Sequence, residues 1–388
     1  MIEPRDEPGL FLARNGCSVL SDRITGPRQG MGGRTAGPSG AIDDLRRSDL
    51  ASARFNSMPL TGTVGDAAPS ERDWRALARP RAGLLAVLVL AATIAGRAGS
   101  WWWVFDLASH FALQLAIAGA FACVLSLWAQ GPRWAAVAGV SLIANMVVVL
   151  PVYVGGAESI HRGSEVRLIS YNLNATNPET DTVIQYLRSS QCDLVFALEV
   201  TPEWLRVLKT LEPAYRVDVA EPRADNFGIA LLSRGLKVSA RILRAPKSDV
   251  GFVEARVTVD GNDWFILGVH PVPPLGADLA AERDTALEFI ASWAAQQNGP
   301  VVVLGDLNIT PFSPSFSRLL ARGKLVNSQR GYGVQATWPQ FPWFMLPGRI
   351  PIDHALHSRD VVTRGRSLGP AMGSDHLPLV VKVALPAK

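Results

Sequence analysis

Residues 300–311 read PVVVLGDLNITP, an apolar run that stops on Gly305, Asp306 and Asn308 where a buried strand would reach its end. Gly, Asp and Asn supply turn conformations and local side-chain hydrogen bonds, so a strand running into a turn accounts for the stretch taken alone. A carboxylate and an amide delivered by the end of a buried strand can also do chemistry, because ligand sites gather where strands hand side chains to loops. Matching groups on other strand ends would favour the second reading.

Such groups recur along the chain. VRLISYNLN ends on Asn172 and Asn174, DLVFALEV carries Glu199, WFILGVHP ends on His270, IPIDHAL contains Asp353 and His354, and GSDHLPLVV begins with Asp375 and His376. Taken singly, the asparagines, His270 before Pro271 and the Ser374–Asp375 pair are ordinary turn and strand-end residues. Glu199 is not, because an unpaired carboxylate inside an apolar strand carries a large desolvation cost unless a cation meets it. A hard divalent cation prefers oxygen ligands, and Mg²⁺ is commonly held by one or two carboxylates with water and substrate phosphate. Glu199 with an Asn172 or Asn174 oxygen is a minimal site of that kind. A carboxylate such as Asp306 can deprotonate water, an amide such as Asn308 can donate to a phosphoryl oxygen, and a histidine steered by an aspartate can stabilise developing charge. Phosphoester hydrolysis fits this inventory. A zinc hydrolase does not, since HExxH is absent and the histidines are scattered.

Around these motifs, residues 164–388 alternate strand-like and helix-like segments. VRLISYN reads as a strand and DLVFALEV as a buried one. Between them, NPETDTVIQYLRSS reads as a helix with Asn177 as cap and Pro178 at its first position. FGIALLSR, KVSARIL, a hairpin VEARVTVDGNDWFILGVH turning at Asp260 and Gly261, a helix through AERDTALEFIASWAAQ, PVVVLGD, IDHALHS and LPLVVKVAL complete a strand-rich α/β region. Its length suffices for two packed sheets with outer helices.

The amino-terminal part differs in kind. Residues 1–78 are rich in Gly, Arg, Ser, Asp and Pro without a sustained apolar period, which predicts a disordered tail. Residues 79–156 contain three apolar stretches, at about 84–105, 107–128 and 134–154, each near the ~20 residues that span a bilayer. Aromatic residues near their ends, including Trp101 to Trp103, fit interfacial belts, and Arg97 must snorkel or face another helix. Arg72, Arg75, Arg79 and Arg81 before the first stretch predict a cytoplasmic amino terminus, so three spans would put the carboxy-terminal region outside.

Composition agrees. The chain of 388 residues is 48% hydrophobic, with a mean hydropathy of +0.16. Its net charge of +4 is spread out, with 12 Arg against 10 acids in residues 1–82, 3 against 2 in 83–163 and 23 basic against 22 acidic in 164–388. No segment is a polycation of the kind that tracks nucleic acid. The 3 cysteines, Cys17, Cys123 and Cys192, lie one in each region, which excludes a disulfide framework or a cysteine zinc site.

YNLN, ALEV, VHP, GDLN, IDHAL and GSDHLPL, in that order, resemble the motifs of the endonuclease/exonuclease/phosphatase superfamily, the deoxyribonuclease I-like fold, over about residues 165–385. Amino-terminal spans followed by such a domain are similar to a group of membrane-anchored bacterial members. The resemblance implies a four-layer α/β sandwich and a Mg²⁺- or Mn²⁺-dependent phosphoesterase. It matches Asn172, Asn174 and Glu199 to metal-site positions and His270 to a histidine that contacts the scissile phosphate or assists the leaving group. Asp306 matches the water-positioning aspartate and Asn308 the phosphate-contacting asparagine. Asp353 matches the residue orienting the final histidine, His376, beside which Asp375 can approach the metal. Leu198 stands where many members have Gln, and Asn174 where many nucleases have Asp, which implies weaker metal binding.

The substrate class stays open among nucleic acid, phospholipid and small phosphoesters. A membrane-tethered binding module that kept the fold without the reaction is the alternative. The lipid bilayer is the other expected partner, no feature points to a protein partner, and the expected location is a bacterial inner membrane with the catalytic domain on the periplasmic side. TWPQFPWFMLPGRIP, residues 337–351, reads as an ordered, Pro- and Trp-rich loop or as a lipid-facing rim.

Overall fold

The computed structural model describes residues 73–155 and 164–385. Most of the expected tail, and most of the linker after residue 155, lie outside the described residues. The last residues of that tail are helical: Asp73 Oδ1 accepts from the backbone N–H groups of Arg75 and Ala76, capping helix α1, Trp74–Arg97. Helix α2, Trp103–Ser109, is followed by α3, Ala112–Trp128, and α4, Pro132–Val149.

Two helices are long and apolar enough to cross a membrane, Trp74–Arg97 and Pro132–Val152. The pair α2 and α3 would make a third span only as a broken one, bent by 65°. This corrects two of the three expected stretches: α1 ends at Arg97 rather than running to residue 105, and 107–128 is interrupted at His110 and Phe111. The physical reason is polar. Asp106 accepts from Arg283 and Ser313, and His110 pairs with Thr310, so the polar residues of this stretch are recruited by the carboxy-terminal domain. Arg97 meets a neighbouring helix, donating to Ala144 O and Asn145 Oδ1. Small residues pack where the long helices meet, Ala82 and Ala86 of α1 with Ala116, Gly119 and Ala122 of α3 and Ala135 and Ala138 of α4. Large apolar side chains such as Leu84, Ile117, Phe121 and Ile143 face outward.

The carboxy-terminal region contains β1 Val166–Asn172, α5 Thr180–Ser190, β2 Leu194–Leu198, α6 Pro202–Lys209, β3 Arg216–Glu221, β4 Ile229–Ser233, β5 Val238–Arg244 and β6 Gly251–Val259. It continues with β7 Asn262–Val269, α7 Ala277–Ala295, β8 Val301–Asp306, α8 Pro314–Gly323, β9 Leu325–Asn327, β10 Asp353–Ser358, β11 Val362–Leu368 and β12 Leu379–Ala384. Two six-stranded sheets form, in the orders β11-β12-β1-β2-β4-β3 and β5-β6-β7-β8-β10-β9. Successive strand residues point to opposite faces. Leu168 and Phe196 therefore enter the core between the sheets with Val253, Trp264 and Leu304, while Ile169, Tyr171 and Val195 pack with Leu187 and Leu208 of α5 and α6. On the far side Leu267 and Val303 pack with Leu287, Ile290 and Phe316 of α7 and α8. Both faces of the central strands are covered, which explains their unbroken apolar runs. The result is the expected four-layer α/β sandwich.

The hairpin turns at Asp260 and Gly261, with φ of +50° and +76°. Asn177 does not cap α5, which starts at Thr180. Its amide instead donates to Leu173 O and Met372 O and accepts from Glu179 N–H, tying the loop after β1 to the segment before β12.

Candidate active site

Strand register gathers the polar groups. In the parallel pair β1 and β2, Asn172 lies beside Leu198, so Glu199 emerges one residue further on. In the parallel pair β7 and β8, Val269 lies beside Gly305, so His270 and Asp306 emerge together. The antiparallel strand β10 starts with Asp353 opposite Asp306. Antiparallel β12 begins with Leu379 opposite Ser170, which brings the preceding Asp375 and His376 to the same end.

Hydrogen bonds fix the side chains. Asn172 donates to Glu199 Oε1 at 2.9 Å, and the Ala175 N–H donates to Glu199 Oε2 at 3.0 Å. Asp306 Oδ1 accepts from the Asn308 N–H at 2.9 Å, leaving Oδ2 3.6 Å from both His270 Nε2 and His376 Nε2. His376 Nδ1 pairs with Asp353 Oδ2 at 2.9 Å. One amide hydrogen of Asn308 goes to Pro271 O at 2.9 Å. Ser374 Oγ donates to Asn172 O and accepts from the His376 N–H, joining the two sheet-end segments. Asn174, Glu199 and Asn308 have φ of +59°, +57° and +49°. Asn tolerates the left-handed backbone far better than Glu, so the backbone strain among these three falls on Glu199.

Burial sets the protonation states. It pushes Glu199 above the usual carboxylate range, with Asp375 adding repulsion against the hydrogen bonds from Asn172 and Ala175. Asp306 is pushed up to about 7 by burial and then by Asp353, with His376 opposing. His270, buried and facing the His376 charge, is lowered to about 4 and is neutral. Burial disfavours the charge on His376, but the carboxylates of Asp353 and Asp306 outweigh it and raise the pKa to about 10. Asp353 is held low, since the His376 charge and hydrogen bond overcome its burial.

These groups open into a cavity of about 790 Å³. Of the residues expected at the site, Asn172, Glu199, His270, Asp306, Asn308, Asp375 and His376 line it, while Asn174 and Asp353 do not. Asp353 lies behind His376. Asn174 uses its amide to donate to Asp375 Oδ1 at 2.8 Å and to accept from Thr176, so it braces Asp375 instead of offering an oxygen to the cavity. Asn172 likewise turns its NH₂ toward Glu199 and its oxygen toward the Asn174 N–H. His354 is a packing residue, with Nε2 at 2.7 Å from Ile309 O and its ring against Phe316.

Other lining residues went unread in the sequence. Trp338 donates through Nε1 to Asp375 Oδ2 at 3.0 Å, and its backbone bridges Ile350, which makes residues 337–351 a tied loop with one edge on the cavity. Phe227 packs against His270. Trp103, Leu107, His110 and Phe111 come from α2 and the break after it. Residues 337–351 stood out as aromatic and Trp103 as an interfacial residue, but nothing local placed α2 at the site.

An oxygen-rich set, with no Lys or Arg among the lining residues and two carboxylates that repel each other, suits a hard divalent cation. Asp306, Asp353 and His376 also bring ligand atoms within 4.8 Å of one another. There the His376–Asp353 hydrogen bond already satisfies the facing atoms.

No curated protein matches the chain. Among solved structures, D. rerio TDP2 complexed with single strand DNA product is 17% identical, covering 57% of this chain and 99% of that one with a TM-score of 0.49. An endonuclease/exonuclease/phosphatase from Bacteroides vulgatus is 19% identical, covering 57% and 99% with a TM-score of 0.48. The Bacteroides thetaiotaomicron VPI-5482 mannosyl-6-phosphatase Bt3783 is 16% identical, covering 57% and 100% with a TM-score of 0.45. A family profile matches residues 169–376, from within β1 to His376, and so takes in every strand end that reaches the cavity. On that match over more than half its length, the chain belongs to the Endonuclease/Exonuclease/phosphatase family.

Proposed function

We propose that the protein is a membrane-anchored, divalent-metal-dependent phosphoesterase that hydrolyses its substrate by in-line attack of water. The observation that carries this reading is the convergence of Asp306, His376 and Glu199 on one cavity, with Asp306 Oδ2 3.6 Å from His376 Nε2.

Glu199 and Asp375, with Asn172 adjoining, would hold Mg²⁺ or Mn²⁺. Such an ion, when bound, neutralises charge on the phosphoryl oxygens. The chain's own residues do the remainder. Asp306, fixed through Oδ1 by the Asn308 N–H, takes the proton of the attacking water at Oδ2. His376, cationic and oriented by Asp353, donates from Nε2 toward the charge developing on phosphorus-bound oxygen. The Asn308 amide hydrogen not used by Pro271 is available to a phosphoryl oxygen. His270 is neutral and contacts the phosphate from the other side of Asp306.

Anchoring is supported by the two long apolar helices and by the outward-facing large side chains of α1, α3 and α4. Arg72 and the arginines in the first turns of α1, Arg75, Arg79 and Arg81, support a cytoplasmic start by the positive-inside rule, and with the bent α2–α3 pair counted as a third span this favours the periplasmic side of a bacterial inner membrane for the catalytic domain.

Full-length protein in detergent, freed of metal and offered generic phosphomonoesters and phosphodiesters, should turn over only when Mg²⁺ or Mn²⁺ is restored. Turnover that persists in excess chelator would refute the metal-dependent reading. Protease digestion of the catalytic domain only after the inner membrane is permeabilised would refute the orientation.

A further inference from the structure

The cavity has two kinds of wall. One is the polar floor described above. The other is apolar, built by Trp103, Leu107 and Phe111 and by Pro273, Pro274 and Leu275. Phe111 is 41% exposed and Leu275 79% exposed, so the apolar side reaches the surface. There it adjoins α3, whose Ile117, Phe121 and Val124 turn outward on a helix of lipid-facing composition.

This wall is held in place. Asp106 Oδ2 accepts from Arg283 at 3.0 Å and Asp106 Oδ1 accepts from Ser313 Oγ at 2.6 Å, both inside the protein. The next turn is tied by His110 Nδ1, 3.1 Å from Thr310 Oγ1, four residues beyond Asp306. A helix from the apolar region thus forms one side of the catalytic cavity. The charged or ionisable groups lining the cavity are acids and histidines, a poor surface for the phosphate backbone of a nucleic acid. A single phosphate joined to a hydrocarbon chain satisfies both walls.

We propose that the substrate is a lipid phosphoester, its phosphate on the Glu199, Asp306 and His376 floor and the first methylenes of its chain against Trp103, Leu107 and Phe111. This rests on the hydrolase reading above and assigns α2 a part in substrate binding.

The test uses the full chain in lipid nanodiscs and two soluble series below their critical micelle concentrations, p-nitrophenyl alkyl phosphates and monoalkyl phosphates, from methyl to octyl. Each methylene buried on the wall should raise kcat/KM by up to about fourfold. Leu107→Ala and Phe111→Ala should each flatten the dependence on chain length. That slope is a ratio within one preparation, so a loss of folded protein does not change it. Hydrolysis independent of chain length overturns this inference while leaving the hydrolase reading standing. Slopes unchanged in both variants also overturn it, because the chain then binds away from α2. No hydrolysis of either series with Mg²⁺ or Mn²⁺ overturns the hydrolase reading, and this inference with it.

Discussion

His376 Nδ1 lies 2.9 Å from Asp353 Oδ2, with both side chains almost wholly buried. Burial works against the imidazolium, yet Asp353 and Asp306 together raise its pKa from 6.5 to about 10. Stability from this raised pKa is fully present below 6.5 and is lost as pH rises through about 10. Activity that needs the cation should fall over the same upper range. Asp353→Asn keeps the shape and removes the larger charge, so the alkaline limb of the pH–rate profile should move down by at least one unit. A limb that stays in place would show that Asp353 does not set the state of His376.

Asp306 shows a linkage of the same sign in a lower pH window. Its pKa is raised from 3.8 to about 7, so its contribution to stability is present below 3.8 and lost as pH rises through 7. Asp306→Asn should therefore raise the unfolding midpoint at pH 8 relative to its effect at pH 4. It should also lower kcat/KM by about 10³-fold, as expected for loss of a general base. Equal shifts of the midpoint at both pH values would remove the buried-charge explanation.

What was legible in the sequence followed from burial. Strands covered on both faces, such as VVVLGD and LVFAL, read as apolar runs, and their polar ends stood out. Three of the four edge strands did not, although β5 was readable as KVSARIL: β3 contains Arg216 and Asp218, β11 contains Arg364 and Arg366, and β9 has only 3 residues. Helices α6 and α8, capped by Thr201 and Ser313, went unread because 8 and 10 residues are too short for a sustained apolar period. The apolar wall was illegible for another reason. Asp106 meets Arg283 across 177 positions and His110 meets Thr310 across 200, so local patterning showed only a hydrophobic stretch.

Gly305 links the fold to the site. Its φ is +150°, and a Cβ there would lie 1.8 Å from Val269 O, inside the parallel pair that presents His270 and Asp306. Gly305→Ala adds backbone strain to overpacking and should cost about 3 kcal/mol. The β7–β8 spacing must widen to admit the methyl group, so any folded fraction should also have a lower kcat. A variant with wild-type stability and rate would mean that the two strands separate freely at this point.

The buried contact between Asp106 and Arg283 joins α2 to α7, with 2% and 1% of the side chains exposed. Asp284 gives Arg283 a second carboxylate at 2.8 Å, but that residue is half exposed and cannot replace a buried partner in full. Asp106→Ala should cost about 3 kcal/mol, near the lower end for breaking a buried pair, because it leaves the guanidinium without its enclosed counter-charge. Arg283→Met should cost a similar amount by stranding Asp106. If desolvation dominates, Asp106→Leu combined with Arg283→Met should recover most of either loss, since well-packed apolar replacements of buried ion pairs are often neutral. Denaturant unfolding of the single and double variants in one detergent measures the coupling. Costs that simply add would mean that the two side chains do not act as a pair, and that α2 is held against the catalytic domain by the contacts of Asp106 with Ser313 and of His110 with Thr310 instead.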